Sequence, residues 1–176
     1  MRLLAPLYQE VLHILVSKAR SAAVNGIPDL EGLRVALGAP GSGTRSVAER
    51  VIDHFGVHVG EDVSLPPDEV AQGLASGSID AAFMLSAIPA PVVEGLCERD
   101  AVRFLSLGDA QERGNAADAL ALVFPSLASG VIPRSTYERL PERPVATIEV
   151  SGEAAVGVPR ITLPSRVSPG GSSPAS

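Results

Sequence analysis

The chain has 176 residues, enough for one well-packed domain or for two very small ones. With 45% hydrophobic and 19% charged residues it can bury a core, so global disorder is excluded. The formal net charge is -6, the wrong sign for gripping phosphate backbones or anionic membranes, and we expect no nucleic-acid partner. Aromatic residues make up only 3%, which predicts an aliphatic core.

The N-terminal segment does not have the pattern of a signal peptide. Its short apolar stretch is interrupted by Gln9, Glu10 and His13, and no small-residue cleavage site follows. No apolar run approaches the roughly 18 to 20 residues of a membrane span, so we expect no direct partnership with a lipid bilayer. Cys97 is the only cysteine, which excludes an intramolecular disulfide and a cysteine-based metal cluster within this chain.

The predicted elements alternate between short apolar strands and amphipathic helices. In chain order, strands are predicted at 12–16, 33–37, 63–65, 79–85, 102–107 and 145–150. Helices are predicted at 45–55, 66–77, 89–96 and 109–123. Strands separated by helices imply βαβ units, and hence an α/β fold with a mainly parallel sheet flanked by helices. Residues 164–176 are dominated by Ser, Pro and Gly, and we expect a flexible tail there.

The strongest local signal is the segment GAPGSGT at residues 38–44, between a predicted strand and a predicted helix. Glycines allow positive φ and close approach to a ligand, while the first N–H groups of a helix attract an anion. Ser42 and Thr44 add hydroxyl donors at this point. The segment predicts an anion-recognition loop. The alternative is a tight turn in which Thr44 only caps its helix.

This loop does not match two better-known glycine motifs. A nucleotide P-loop needs a lysine directly before the Ser or Thr, and here Gly43 precedes Thr44. A nucleophile elbow needs glycines two residues on either side of its serine, but Ser42 is flanked there by Pro40 and Thr44. We therefore expect neither nucleotide triphosphate binding nor serine hydrolase chemistry.

Other polar residues carry weaker signals. Asp80 begins an apolar strand without a nearby catalytic partner, which favours a structural hydrogen-bonding role. Pro89 lies in a loop after that strand, where open α/β sheets place ligands. His54 and His58 have metal-ligand spacing, but Gly56 between them is predicted to end the helix, so we predict no metal site and no cofactor.

Five segments together resemble, in order and spacing, the TAXI family of solute-binding proteins of TRAP transporters. They are LYQE (7–10), LHILV (12–16), DLEGLRV (29–35), GAPGSGT (38–44) and LASGSIDAAF (74–83). The similarity covers about residues 3 to 150, with Gln9 where the family usually has proline. The glycine loop and the later GSIDAAF are specific mainly as a pair.

The resemblance implies a periplasmic-binding-protein type II fold, in which two lobes close on a small organic anion such as glutamate or a related carboxylate. It also implies a periplasmic receptor that delivers this ligand to a TRAP membrane permease, and no enzymatic activity. We expect residues 1–163 to form mainly the second lobe, with 1–16 as a crossover from a missing first lobe. The implied ligand-binding residues are Tyr8, Glu10, Gly41, Ser42, Gly43, Thr44 and Pro89.

Three alternatives to a complete receptor lobe stay open. The missing signal peptide favours a cytoplasmic ligand-sensing or interaction module of the same fold. A shortened chain could also be a remnant that binds nothing, and an enzyme using Ser42 or Asp80 lacks an activating partner. A lone lobe should expose apolar surface that its partner lobe would cover, so we also expect self-association.

Overall fold

The computed structural model describes residues 9–138 and 143–151. In chain order the strands are β1 (Gln9–Ser17), β2 (Arg34–Ala36), β3 (Glu61–Val63), β4 (Ala81–Ser86), β5 (Val102–Phe104), β6 (Ala128–Ile132) and β7 (Val145–Ser151). The α-helices are α1 (Gly43–Phe55), α2 (Pro67–Ser76), α3 (Pro91–Glu98) and α4 (Ala116–Val123). Short 3-10 helices at Lys18–Arg20 and Ile27–Leu30 connect β1 to β2. The proposed tail at 164–176 lies outside the described residues.

The strands form one sheet in the order β3-β2-β4-β1-β7-β6. β2 pairs in parallel with both β3 and β4. β1 lies antiparallel to β4, with Val11 opposite Ser86 and Val16 opposite Ala81. On its other side, β1 pairs with β7 through residues 9–11 and with β5 through residues 15–17. β1 is therefore the central strand and pairs with three others.

The predicted α/β fold with flanking helices is confirmed, but the sheet is mixed rather than mainly parallel. Four of the six strand pairings among the described residues are antiparallel. β5 and β7 run in the same direction as β4, because each is antiparallel to β1 and β1 is antiparallel to β4. β1 is thus inserted in the reverse direction between its neighbours, and three of the four antiparallel pairings are its own. Hydrophobic patterning could not show this, because it reads the same in either strand direction.

Alternation along β1 divides the buried residues between two cores. Leu12, Ile14 and Val16 face one core with the buried side chains of α1 and α4. Val11 and Leu15 face a second core with those of α2 and α3. Residues 11–17 are all buried, because a central strand is covered on both faces. The architecture is therefore helices, sheet, helices.

Several elements begin or end a few residues from their predicted bounds, and α4 and β3 are two examples. α4 begins at Ala116 and not at residue 109, since Gly114 adopts φ +77° and the Asn115 side chain caps the helix. β3 lies two residues before the predicted strand at 63–65. The predicted stop of α1 is confirmed, because Gly56 ends it in the left-handed region at φ +64°.

β6 was not predicted at all. Its sequence, ASGVI, is mostly exposed and lacks the alternation of apolar and polar residues that indicates a strand. It forms because β7 offers it an unpaired edge, with Ala128 opposite Glu149 and Ile132 opposite Val145. Tertiary pairing therefore determines this strand.

Some large hydrophobic side chains of the described residues are exposed. They are Leu65, Leu122, Val123 and Val131, of which Leu122 is 85% exposed. Self-association stays a prediction. Among the helices described, none has the length and apolar character needed to cross a bilayer.

Asp80 joins the start of β4 to the start of β2. Its side chain is 3% exposed and accepts hydrogen bonds from the Arg34 guanidinium at 2.9 and 3.0 Å, from the Arg34 backbone N–H at 3.0 Å, and from Arg20 at 3.0 Å. The Arg34 guanidinium is the main reason that the pKa of Asp80 falls to about 2. The geometry agrees with the structural role predicted for Asp80.

We expect Asp80→Asn to lower the free energy of unfolding at pH 7 by about 2 kcal/mol, because it replaces a buried carboxylate that accepts charge-assisted hydrogen bonds from two partly exposed arginines. The charged pair stabilises the fold fully above the ordinary pKa of 3.8 and loses this effect as pH falls toward 2. Chemical denaturation at several pH values measures both effects.

Asp100→Asn is the matched control, because Asp100 forms an exposed ion pair with Lys18. Such a pair contributes about 1 kcal/mol or less. Equal losses in the two variants would contradict a structural role specific to Asp80.

Candidate functional site

The parallel strands β2, β3 and β4 end at one edge of the sheet, and a helix begins after each of them. The edge carries a cleft of about 490 Å³. Its walls come from the loop before α1, the turn between β3 and α2, the end of β4 and the start of α3. Ligands of open α/β sheets bind at such an edge, beyond the carboxyl ends of the strands.

The glycine loop enters α1 through two residues with positive φ, Gly38 at +99° and Gly41 at +78°. A Cβ atom at Gly38 would lie 3.0 Å from the Arg45 nitrogen, the Ser42 hydroxyl and the Thr44 Cβ, so the loop closes tightly over this position. Gly43 is different, because it is the first residue of α1 and does not adopt positive φ. The backbone conformation at Gly43 therefore does not require a glycine.

Ser42 and Thr44 each use their hydroxyl oxygen to order the loop. Ser42 caps α1, since its oxygen accepts the backbone N–H of Arg45 at 3.1 Å. The Thr44 oxygen accepts the N–H of Leu85 at 3.2 Å and thereby joins α1 to the end of β4. The helix cap is therefore Ser42, whereas the alternative prediction assigned it to Thr44. Each hydroxyl still has its hydrogen to donate to a ligand.

Arg45 braces the loop from outside the cleft. Its guanidinium donates to the Gly38 carbonyl at 3.1 Å, to Glu49 one turn along α1 at 2.9 Å, and to both carboxylate oxygens of Asp62 on β3. These contacts connect the loop, α1 and β3. The charge of Arg45 is thus satisfied by carboxylates and does not line the cleft.

A second cavity of about 250 Å³ lies on the other side of the glycine loop, and Ser42 lines both. Gly41, Gly43 and Arg50 also line this second cavity. The Arg50 guanidinium donates to the Ser126 hydroxyl at 2.7 Å and lies over the Phe124 ring, 5.7 Å from its centroid. Arg50 therefore ties α1 to the turn before β6.

A model of the NMT1-like family matches residues 1–157 of the chain. The chain belongs to the NMT1-like family. This family is periplasmic-binding-protein-like, in agreement with the general class of protein that the sequence resembles.

Two solved structures are similar to this NMT1-like chain. An ancestral arginine-binding protein bound to arginine is 17% identical, with a TM-score of 0.43, and the match covers 84% of this chain and 50% of that one. A protein of Bordetella bronchiseptica RB50 is 18% identical, with a TM-score of 0.46, and the match covers 84% of this chain and 40% of that one. The chain thus spans half or less of the length of these two proteins.

The structure places most of the predicted site residues of this NMT1-like chain around the cleft edge. Ser42 and Thr44 line the main cleft, and Gly41 and Gly43 line the cavity beside it. Glu10 is half-buried at the start of β1, paired with Val150 of the second cavity. Pro89 is exposed after a cis peptide bond and precedes Ala90, which lines the cleft. Tyr8 lies outside the described residues.

Cys97, His54 and His58 do not line the cleft or the cavity beside it. Cys97 is buried within α3, and burial is the main cause that raises the pKa of its thiol to about 11, as expected for a small core residue. His54 lies in the last turn of α1 and His58 beyond its end, both exposed. The described residues contain no group of three or more His, Cys, Asp or Glu side chains arranged for a metal ion.

Sequence reasoning missed a buried polar network behind the cleft. His13 in the middle of β1 is fully buried, with Nδ1 3.0 Å from the Val11 carbonyl oxygen. Because a carbonyl only accepts, Nδ1 carries the proton, and Nε2 of the neutral ring accepts from the Tyr137 hydroxyl at 2.7 Å. The same hydroxyl accepts the N–H of Ala90 at 2.8 Å. Tyr137 also stacks on Phe104, with 5.6 Å between ring centroids.

This network fixes the start of α3, since Ala90 is the residue before the helix and lines the cleft. His13 and Tyr137 are 124 positions apart in the sequence, so no local pattern could connect them. An isolated histidine within an apolar strand was the one available signal. It indicates a buried hydrogen bond in general, not a particular partner.

We expect Tyr137→Phe to lower the free energy of unfolding by about 1 to 3 kcal/mol, because it leaves Ala90 N–H and His13 Nε2 without partners while preserving the ring stacking. Chemical denaturation measures this loss. The control is Ser21→Ala, which removes an exposed hydroxyl bonded only to a nearby carbonyl. A Tyr137→Phe protein as stable as the parent would contradict the network.

Stability should also depend on pH through His13. Burial is the main cause that lowers the pKa of His13 below 6.5, so the folded state favours the neutral ring. The contribution is complete above 6.5 and is lost as pH falls through the lowered pKa. In His13→Asn, stability should be lower at about pH 7.5 but fall less steeply toward about pH 5. Equal slopes in both proteins would contradict this assignment.

Proposed function

We propose that this chain is a solute-binding lobe that holds a small organic anion in the 490 Å³ cleft. The observation that carries the proposal is the convergence of three helix starts and the glycine loop on one concave edge of the sheet. Membership of the NMT1-like family supports it. The binding partner would be a small carboxylate, and the protein would act by capture and release instead of by catalysis.

The start of α1 suits the anionic group better than the other two helix starts. α2 and α3 begin with Pro67 and Pro91, which lack an N–H group, and their first turns contain Asp68, Glu69 and Glu94. The first turn of α1 contains no acidic residue. Its first N–H groups cannot find an acceptor within the helix, so they favour an anion together with the helix dipole.

Hydroxyl groups complete the proposed anion site. Ser42 and Thr44 line the cleft directly beside the start of α1, and each can donate its hydrogen while its oxygen stays bonded to the backbone. A carboxylate there would receive backbone and hydroxyl donors without a cationic side chain. Charge-assisted hydrogen bonds of this kind are about twice as strong as neutral ones.

The finer assignment is a TAXI-type receptor of a TRAP transporter. It would be periplasmic and would deliver a small carboxylate to a TRAP membrane permease. The support is the order and spacing of the five segments named above, including the glycine loop now seen at the cleft. A second lobe, from the remaining length of such a receptor, would close over the exposed side of the cleft.

An enzymatic role is less compatible with the geometry. The Ser42 hydroxyl oxygen accepts the Arg45 N–H, and among the described contacts this hydroxyl has no general base as a partner. Asp80 lies before β4, at the opposite end of that strand from the cleft, and is paired with two arginines. Neither residue has the partner that nucleophilic or general-base catalysis needs.

The test is a substitution that removes the backbone N–H of Gly43, which lies between the cleft residues Ser42 and Thr44 and itself borders the neighbouring cavity. Gly43 is the first residue of α1, where proline is tolerated, and Ser42 before it already has φ -78° and ψ 156°, as a residue preceding proline requires. We expect Gly43→Pro to weaken carboxylate binding about tenfold or more, as loss of a hydrogen bond to a charged group does. Gly43→Ala retains the N–H and should bind nearly as the parent does.

Thermal unfolding with millimolar small carboxylates measures this binding, since a ligand of the folded state raises its stability by mass action. Each variant is compared with its own ligand-free transition, so a loss of stability is not mistaken for a loss of binding. If no carboxylate shifts the parent's transition, the proposal is wrong. If Gly43→Pro and Gly43→Ala bind equally, the anion does not lie at the start of α1.

A further inference from the structure

We infer that the cleft selects a monocarboxylate with an apolar body over dicarboxylates and amino acids such as glutamate. This inference rests on the proposed function and narrows its ligand class. It follows from how polarity is distributed over the cleft walls. Ser42 and Thr44 lie beside α1, whereas the walls from β4, α3 and the turn between β3 and α2 are largely apolar.

The apolar walls come from three separate elements. The turn between β3 and α2 provides Leu65 and Pro66, β4 provides Phe83, and α3 provides Val92. Val70 adds a buried apolar surface from the first turns of α2. Since independent segments contribute the same chemistry, the apolar character belongs to the site and not to one stretch of sequence.

Leu65 is the most informative of these side chains. It is 39% exposed, one of only four large hydrophobic residues exposed within 9–138 and 143–151, and it borders the cleft. An exposed leucine at the rim of a concave site gains favourable burial when an apolar ligand covers it. A polar ligand body would leave that surface without a matching partner.

The polar groups of the lining are all neutral side chains or backbone. Four hydroxyl residues, Ser42, Thr44, Ser64 and Ser86, line the cleft, and no Asp, Glu, Lys or Arg is among its described lining residues. Ser86 is already near a polar partner, with its oxygen 3.4 Å from His13 Nδ1. One anionic group can be held at α1, but a second charge on the ligand would lose water without an ionic partner on these walls.

Nearby charges further disfavour a second carboxylate. Asp68 and Glu69 occupy the exposed first turn of α2, directly after the Pro66 and Pro67 wall. They repel an anion placed at that end of the cleft. An ammonium group would meet these acids only outside the lining, where water screens the attraction.

Isothermal titration calorimetry on the full chain tests the inference with four acids and one neutral amide, 4-methylpentanamide. Butanoate and 4-methylpentanoate compare a short with a branched apolar body. Leucine adds an ammonium group to 4-methylpentanoate, and glutarate adds a second carboxylate to butanoate. We expect 4-methylpentanoate to bind tightest, with affinity rising about fourfold for each methylene group buried. Leucine should bind at least about tenfold more weakly than 4-methylpentanoate, and glutarate at least about tenfold more weakly than butanoate.

A matched pair of variants places the apolar body in the cleft. Leu65→Ser removes the rim leucine, and Leu122→Ser removes a leucine that is even more exposed but does not line the cleft. We expect only Leu65→Ser to weaken 4-methylpentanoate, by about tenfold, while binding of butanoate changes less. Both positions are exposed, so both variants should fold.

The outcomes separate this inference from the function on which it rests. If leucine binds as tightly as 4-methylpentanoate, if glutarate binds as tightly as butanoate, or if Leu65→Ser and Leu122→Ser behave alike, the apolar selectivity is wrong while carboxylate binding stands. If 4-methylpentanamide binds as well as the acid, the cleft recognises an apolar body without an anionic group, and the inferred acid class is wrong. If none of the acids binds, the proposed function itself fails.

Discussion

The parallel alignment of β2, β3 and β4 is the constraint on which the candidate site depends. Because these strands run in one direction side by side, their carboxyl ends meet at one edge, and the helices that follow must begin there. The cleft is the space between those helix starts. At the opposite edge, Asp80 holds the beginnings of β2 and β4 together through Arg34, so the alignment is secured by charge as well as by backbone pairing.

The glycine loop is ordered before any ligand arrives. Ser42 caps α1, Thr44 joins it to β4, and Arg45 ties the loop to Asp62 on β3. A site whose donors are already positioned avoids part of the entropy cost of ordering them on binding. The same arrangement leaves the arginine outside the cleft, so recognition of an anion would depend on backbone and hydroxyl groups. Because the anchoring charge of Arg45 lies outside the cleft, the loop can be strongly anchored and still border largely apolar walls.

Polar groups behind the cleft hold the wall formed by the start of α3. The neutral His13 ring, the Tyr137 hydroxyl and the Ala90 N–H satisfy one another inside a core that is otherwise apolar. A buried network of this kind favours one arrangement, because any alternative leaves a polar group without a partner. It connects the central strand directly to the start of α3. The position of that helix is thus coupled to a residue in the middle of the sheet.

The sequence by itself predicted what depends on neighbouring residues. The glycine loop between strand and helix and the stop of α1 at Gly56 follow from local backbone chemistry. A hydrogen-bonding role for Asp80 was also predicted, but its partners Arg34 and Arg20 lie 46 and 60 positions away, so only the tertiary structure identifies them. Only the tertiary structure decided the reversed insertion of β1, the formation of β6 and the contact of His13 with Tyr137. These depend on pairing between distant segments, which hydrophobic periodicity does not encode. The apolar walls of the cleft belong to the same class, because they come from three elements that meet only when the sheet is assembled.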